Sequence, residues 1–144
     1  WAEPNFIYLN WGILTGPVND TYWPQQWAHK NTGQTVASGA GAGFPASVNG
    51  YADADMDVDL AWQTLADNGG QAGGSASILV ALLDSGVDLD HPDLQANLFS
   101  TGKDFTTDAQ PDANDTKGHG TCTAGIVAAV GNNGEGVAGV AYNS

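Results

Sequence analysis

Ile78-Leu79-Val80-Ala81-Leu82-Leu83-Asp84-Ser85-Gly86 runs six apolar residues, without alternation, into a carboxylate, a hydroxyl and a glycine. An unbroken apolar run of that length predicts a short strand buried on both faces, as in a parallel sheet. Asp84 then stands at the carboxyl end of the strand, where open α/β sheets place their sites. Leu82 and Leu83 cannot solvate a charge, so this carboxylate needs a partner that hydrogen-bonds it. The candidate partner is His119, set between Gly118 and Gly120 at the head of a small-residue helix.

Upstream of that run, residues 1–30 are aromatic-rich and hold Trp1, Trp11, Trp23 and Trp27. They read as an arm packed on the remainder, residues 31–144, rather than as a ligand-stacking surface. Asn5 to Asn10 is a candidate short strand. Residues 35–52 are rich in Gly, Ala and Ser and read as a surface loop. Gly39 to Gly43 is not a phosphate cradle, because no strand precedes it and no Lys-Ser/Thr follows. Asp55 to Leu65 reads as a helix: Val58, Ala61, Trp62 and Leu65 recur at helical spacing, with aspartates toward the amino end. Asn68 to Ser75, with its glycines, ends that helix.

Downstream, Leu98–Phe105 is a candidate second strand, broken by Gly102. An acidic loop with Asp104, Asp108 and Asp112 follows. From His119 to about Val130 the sequence predicts a helix of small apolar residues, able to lie close against a sheet. Gly131 to Gly136 is a loop, and Val137 to Ala141 leads toward a further strand. No repeat of 20–50 residues is visible.

With 144 residues the length fits one ordinary domain, and 42% hydrophobic content suffices for a core. Sixteen acidic residues against three lysines and no arginine give a formal charge of −13. Nucleic acid and anionic membrane surfaces are excluded as partners, since both need a cationic footprint. The acidity suits a secreted or salt-adapted protein and the binding of cations. A single cysteine, Cys122, rules out an internal disulfide. No run approaches a membrane span, and Trp1-Ala2-Glu3 does not read as a signal peptide. If the protein is exported, its targeting segment is expected to have been removed.

Two motifs carry a resemblance. Leu83-Asp84-Ser85-Gly86-Val87 followed by His91-Pro92-Asp93-Leu94 resembles the Asp motif of the subtilisin-like serine peptidases, the subtilases. Gly118-His119-Gly120-Thr121-Cys122-Thr123-Ala124-Gly125 resembles their His motif. Asn19-Asp20-Thr21-Tyr22 with Gln25-Gln26-Trp27 is similar to the family's lead-in, so the likeness runs from about Val18 onward. The family's serine motif, Gly-Thr-Ser-x-Ala, appears nowhere in the chain. Asp before His with the serine later is also the subtilase order, unlike that of chymotrypsin-like enzymes or α/β-hydrolases.

The resemblance implies a three-layer α/β fold with a mainly parallel central sheet, of which this chain carries about the amino-terminal half. It implies a serine endopeptidase acting on protein or peptide substrates, with Asp84 and His119 catalytic. The serine is then expected on a missing or separate carboxyl-terminal part. It further implies a structural calcium site: the side chains of Asp20, Asp93 and Asn133, with carbonyls of Val130, Glu135 and Val137. Two carboxylates with amide and backbone oxygens form a hard-oxygen cage suited to calcium. The alternative is a noncatalytic, calcium-stabilised module that kept the fold and lost the serine. Zinc on His119 and Cys122 is set aside for want of two further ligands. Asp104, Asp108 and Asp112 read as solvated loop residues, and Cys122 as a small buried hydrophobe in preference to a residue lining the substrate cleft.

Overall fold

The computed structural model describes residues 18–37, 47–106 and 112–144. Expectations for Asn5–Asn10, Trp1, Trp11, Gly39–Gly43 and Asp108 fall outside them. Two helices, α1 (Val58–Asp67) and α2 (His119–Ala128), and two short strands, β1 (Thr35–Ala37) and β2 (Ser47–Asn49), form the regular structure. Single 3-10 turns occur at Trp23–Gln25 and Gln95–Asn97.

Helix α1 starts three residues later than its acidic lead-in suggests. Asp57 takes the N-cap position in the left-handed region, at φ 55°, so regular helix begins only at Val58. Asp59 lies in the first turn, where the dipole favours it, and its carboxylate pairs with Lys30 at 2.6 Å. Of the expected apolar stripe, Val58 and Trp62 are buried, whereas Ala61 and Leu65 face solvent.

Trp62 is the centre of one core cluster with Val58 and Ala138, flanked by Val18, Trp23, Ala72 and Tyr142. Its ring stacks on Trp23 at 5.7 Å and meets Tyr142 edge-on at 5.0 Å. Its indole N–H donates to the Val140 carbonyl at 2.9 Å, which satisfies the polar handle of a buried tryptophan. A second cluster joins Leu94, Ala124 and Ala129, with Val87 and Val137 packed on it.

Residues 137–143 strap the two clusters together. Gly139 N–H donates to Ala129 O, Val140 N–H to Ile126 O, and Ala141 N–H to Val127 O. The Gln26 side-chain amide brackets Ala138, accepting its N–H at 2.8 Å and donating to its carbonyl at 2.9 Å. A side chain thus serves this backbone as a neighbouring strand would.

Three expectations need correction. The run 78–83 pairs with no strand among the described residues, and its side chains are exposed, Leu83 at 94%. A strand is stable only where neighbours take its N–H and C=O groups, and no described segment offers them. Leu98–Phe105 likewise forms no strand, and Phe99 and Phe105 are exposed. The Gly/Ala-rich loop instead contains an antiparallel pair, with Thr35 opposite Asn49, Val36 opposite Val48 and Ala37 opposite Ser47. Near Asp84 the pairing is a single parallel bridge between Val87 and Asn114.

Candidate functional site

Helix α2 begins at a glycine for a physical reason: Gly118 sits at φ 88°, in the left-handed region that L side chains rarely adopt. His119 is therefore the first helical residue. Two positions on, Gly120 is buried so tightly that a Cβ there would strike the Gly86 carbonyl. Gly86 itself, at φ 113°, leaves no room for a Cβ beside the Ala113 carbonyl. These contacts set the turn after Asp84 directly against the head of α2.

The result is a close pair. His119 Nδ1 lies 2.7 Å from Asp84 Oδ1. The Ser85 N–H also donates to Asp84 Oδ1, at 2.7 Å. The Asp84 side chain is 18% exposed and the His119 side chain 77%, so the carboxylate is sheltered while the ring stands in solvent. The His119 hydrogen bond holds the Asp84 carboxyl below its usual range. Reciprocally, the Asp84 hydrogen bond and then its charge raise the His119 pKa. Among the described residues no paired strand holds Asp84, since 78–83 finds no partner there. A side-chain network holds it instead.

That network centres on Asp115. Its Oδ1 accepts the Ser85 hydroxyl at 3.1 Å and the N–H groups of Lys117 and Gly118 at 2.8 and 2.9 Å. Its Oδ2 accepts the Thr121 hydroxyl at 2.7 Å and the Thr121 N–H at 2.9 Å. The Ser85 hydroxyl in turn accepts the Gly120 N–H, and the Thr121 hydroxyl accepts the Asp88 N–H, both at 2.9 Å. Hydrogen bonds from the Thr121 hydroxyl, then from the backbone, push the Asp115 carboxyl far below the ordinary carboxylate range. Asp115 did not stand out in the sequence. Its one signal is its position four residues before His119, among many acidic neighbours. Cys122, one turn along α2, is exposed and free rather than a buried hydrophobe, because it faces away from the packed side that carries Ala124.

The carboxylates Asp20 and Asp93 meet the loop after α2. Asp20 accepts the N–H groups of Asn132 and Asn133, at 2.9 and 3.3 Å. Asp93 accepts the Asn133 amide at 2.7 Å and the Val137 N–H at 2.9 Å, and its own carbonyl accepts the Val130 N–H. Both aspartates are 3% exposed, and among the described residues neither has an ion-pair partner. Burial, and then the Asp20 charge, raise the Tyr142 pKa.

Among the described residues the carbonyls of Val130, Glu135 and Val137 accept no hydrogen bond. No three of His, Cys, Asp and Glu converge there as a metal-ligand cluster. A cation at this place would therefore draw most of its shell from amide and carbonyl oxygens. That donor set fits a hard ion such as calcium and does not fit zinc. Asp104 accepts the N–H and hydroxyl of Thr106, and Asp112 the N–H of Asn114, as in ordinary loop turns.

Residues 75–144 match the model of the Subtilase family, which assigns that segment to the family. It is 38% identical to the "PC3-like endoprotease variant B" of Hydra vulgaris over 134 residues, covering 90% of this chain and 16% of the relative. The "Thermophilic serine proteinase" of a Bacillus species is 38% identical over 94 residues, 65% of this chain and 21% of the relative. The "Halolysin" of Haloferax mediterranei is 37% identical over 98 residues, 65% and 18%. The chain spans about a fifth or less of the length of these curated relatives. That assignment implies an α/β subtilisin-like fold, to which the described residues contribute two helices and a two-stranded sheet. No helix among them is long and apolar enough to cross a membrane.

Proposed function

We propose that this chain supplies the aspartate and histidine of an Asp–His–Ser endopeptidase that hydrolyses peptide bonds in proteins. The observation that carries the reading is the 2.7 Å bond between His119 Nδ1 and Asp84 Oδ1. An Nδ1–H donated to Asp84 fixes the neutral tautomer with its lone pair on Nε2. The exposed ring leaves that nitrogen open to reactants. Asp84 then stabilises the imidazolium formed when Nε2 takes the proton of an attacking serine hydroxyl. The same proton passes to the leaving amine, and water releases the acyl group by the reverse sequence. The serine belongs to a part of the protease domain outside these residues. The assignment of residues 75–144 to the subtilase family and the endoprotease and proteinase names of the chain's relatives support this reading.

Calcium, in this reading, is structural. The side chains of Asp20, Asp93 and Asn133 with the carbonyls of Val130, Glu135 and Val137 hold it. It offsets two buried negative charges that lack an ion-pair partner among the described residues. The acidic surface and a calcium requirement both suit a secreted protein.

Intact-mass spectrometry of the purified protein, with and without a fluorophosphonate probe, tests the triad. A serine-bearing polypeptide is expected to gain the probe mass and to lose that labelling in His119→Ala. Absence of any labelled species, or labelling indifferent to His119→Ala, would favour the noncatalytic calcium-stabilised module instead.

A further inference from the structure

We propose that Asp115 is the positioning residue of the Asp84–His119 pair, acting through Ser85 on one side and the head of α2 on the other. The inference deepens the peptidase reading and rests on it.

The argument begins with what cannot position the pair. Among the described residues, 78–83 pair with no strand and are exposed, so no ladder among them holds Asp84. The His119 side chain is 77% exposed, so packing does not hold the ring. A 2.7 Å bond between two such groups needs restraint from elsewhere.

Asp115 provides it by geometry. Its carboxylate collects five hydrogen bonds, and they come from both motifs. Ser85 adjoins Asp84; Lys117, Gly118 and Thr121 flank His119. An ionised carboxylate only accepts, so it turns the Ser85 and Thr121 hydroxyl protons toward itself. Each hydroxyl then presents a lone pair to a backbone N–H, Gly120 for Ser85 and Asp88 for Thr121. The circuit ties the residue after Asp84 to the second residue of α2, and the segment beyond Gly86 to its third. Bonds to a charged acceptor are also the stronger kind. The shift of the Asp115 carboxyl to well below its ordinary range agrees with an acceptor that stays ionised.

Asparagine at 115 has the same shape but turns one oxygen into an NH2 donor. Either orientation sets that donor against O–H and N–H donors, so part of the circuit must break. Removing the Asp115 charge also acts on His119 directly through space. Ser85→Ala therefore gives the cleaner variant, because it cuts the link without changing any charge, and Ser85→Thr restores the hydroxyl.

NMR of the chain at high salt, where the field of a remote charge is screened, reads the result. The signals are the downfield His119 Nδ1 proton and the His119 titration midpoint. Ser85→Ala and Asp115→Asn are each expected to lose that proton by exchange and to lower the midpoint by about half a unit or more. Ser85→Thr is expected to keep both. Loss of helix or core stability alone would leave the proton and the midpoint of the folded protein in place. If Ser85→Ala keeps the wild-type proton and midpoint while Asp84→Asn loses them, Asp115 does not position the pair. If Asp84→Asn itself leaves them unchanged, the Asp84–His119 pairing fails first. Should Asp115→Asn not fold, Ser85→Ala alone decides.

Discussion

His29 shows how much one side chain can decide. It is 3% exposed, and among the described residues neither ring nitrogen has a hydrogen-bond partner. Its ring lies edge-on to Trp23 and Trp62, at 5.9 and 6.3 Å. Burial lowers its pKa, because nothing there solvates an imidazolium. The unfolded chain therefore takes up the proton first, near pH 6.5. Stability from this site is whole above that pH and declines as pH falls through the unfolded value toward the lower folded one. His29→Leu removes two unsatisfied nitrogens and keeps the apolar volume. It is expected to stabilise the protein by about 1 kcal/mol near neutrality, and by more in mild acid. Urea melts at pH 7.5 and 5.5 check this. An equal gain at both pH values would show that His29 is not buried and neutral. The sequence gives no warning, since His29 sits beside Lys30 and Asn31 and reads as surface. Asp115 is hidden for a similar reason, as one carboxylate in an acidic loop. Asp84 and His119 were legible because glycines and apolar neighbours frame them.

Among the elements, α1 carries a cost at its entry. Asp57 is left-handed and exposed, and its carboxyl pKa is raised by partial desolvation and by the charges of Asp55, Asp53 and Asp59 in turn. Asp55 also accepts the Asp57 N–H, so the backbone there is satisfied. Asp57→Asn tolerates the same conformation and removes a like charge. It is expected to raise Tm by a degree or a few, with the gain shrinking in high salt. A fall in Tm at low salt would mean that the Asp57 charge is favourable. Both helices were readable, α1 from the Val58–Trp62 spacing and α2 from its glycine-bounded histidine. The strand at 78–83 was not. An apolar run fixes what a segment would bury, but pairing depends on neighbours that the run does not contain. The pair at 35–37 and 47–49 was obscured by the loop composition between its two halves. There cross-strand contacts, such as the Thr35 hydroxyl on Asn49 at 2.7 Å, outweigh local propensity.

At the scale of the whole molecule, a formal charge of −13 makes bound cations matter beyond their own ligands. If calcium occupies the Asp20–Asp93–Asn133 site, saturating ion at about a hundredfold over its dissociation constant adds about 2.7 kcal/mol. Chelation is then expected to lower Tm, with magnesium a poor substitute because it demands shorter, octahedral contacts. Asp93→Asn is expected to blunt the calcium response. A Tm indifferent to chelator in the wild type would remove the ion from the account. The ties at this place also have a temporal side. Asp20 bonds to a backbone N–H 112 positions later, and Gln26 brackets Ala138 across the same distance. On a ribosome moving at about 5–20 residues per second, residues 19–26 wait roughly 6–22 s for their partners to be made. Residues 19–26 therefore dock late, and their ordering follows synthesis of the loop after α2 rather than their own emergence.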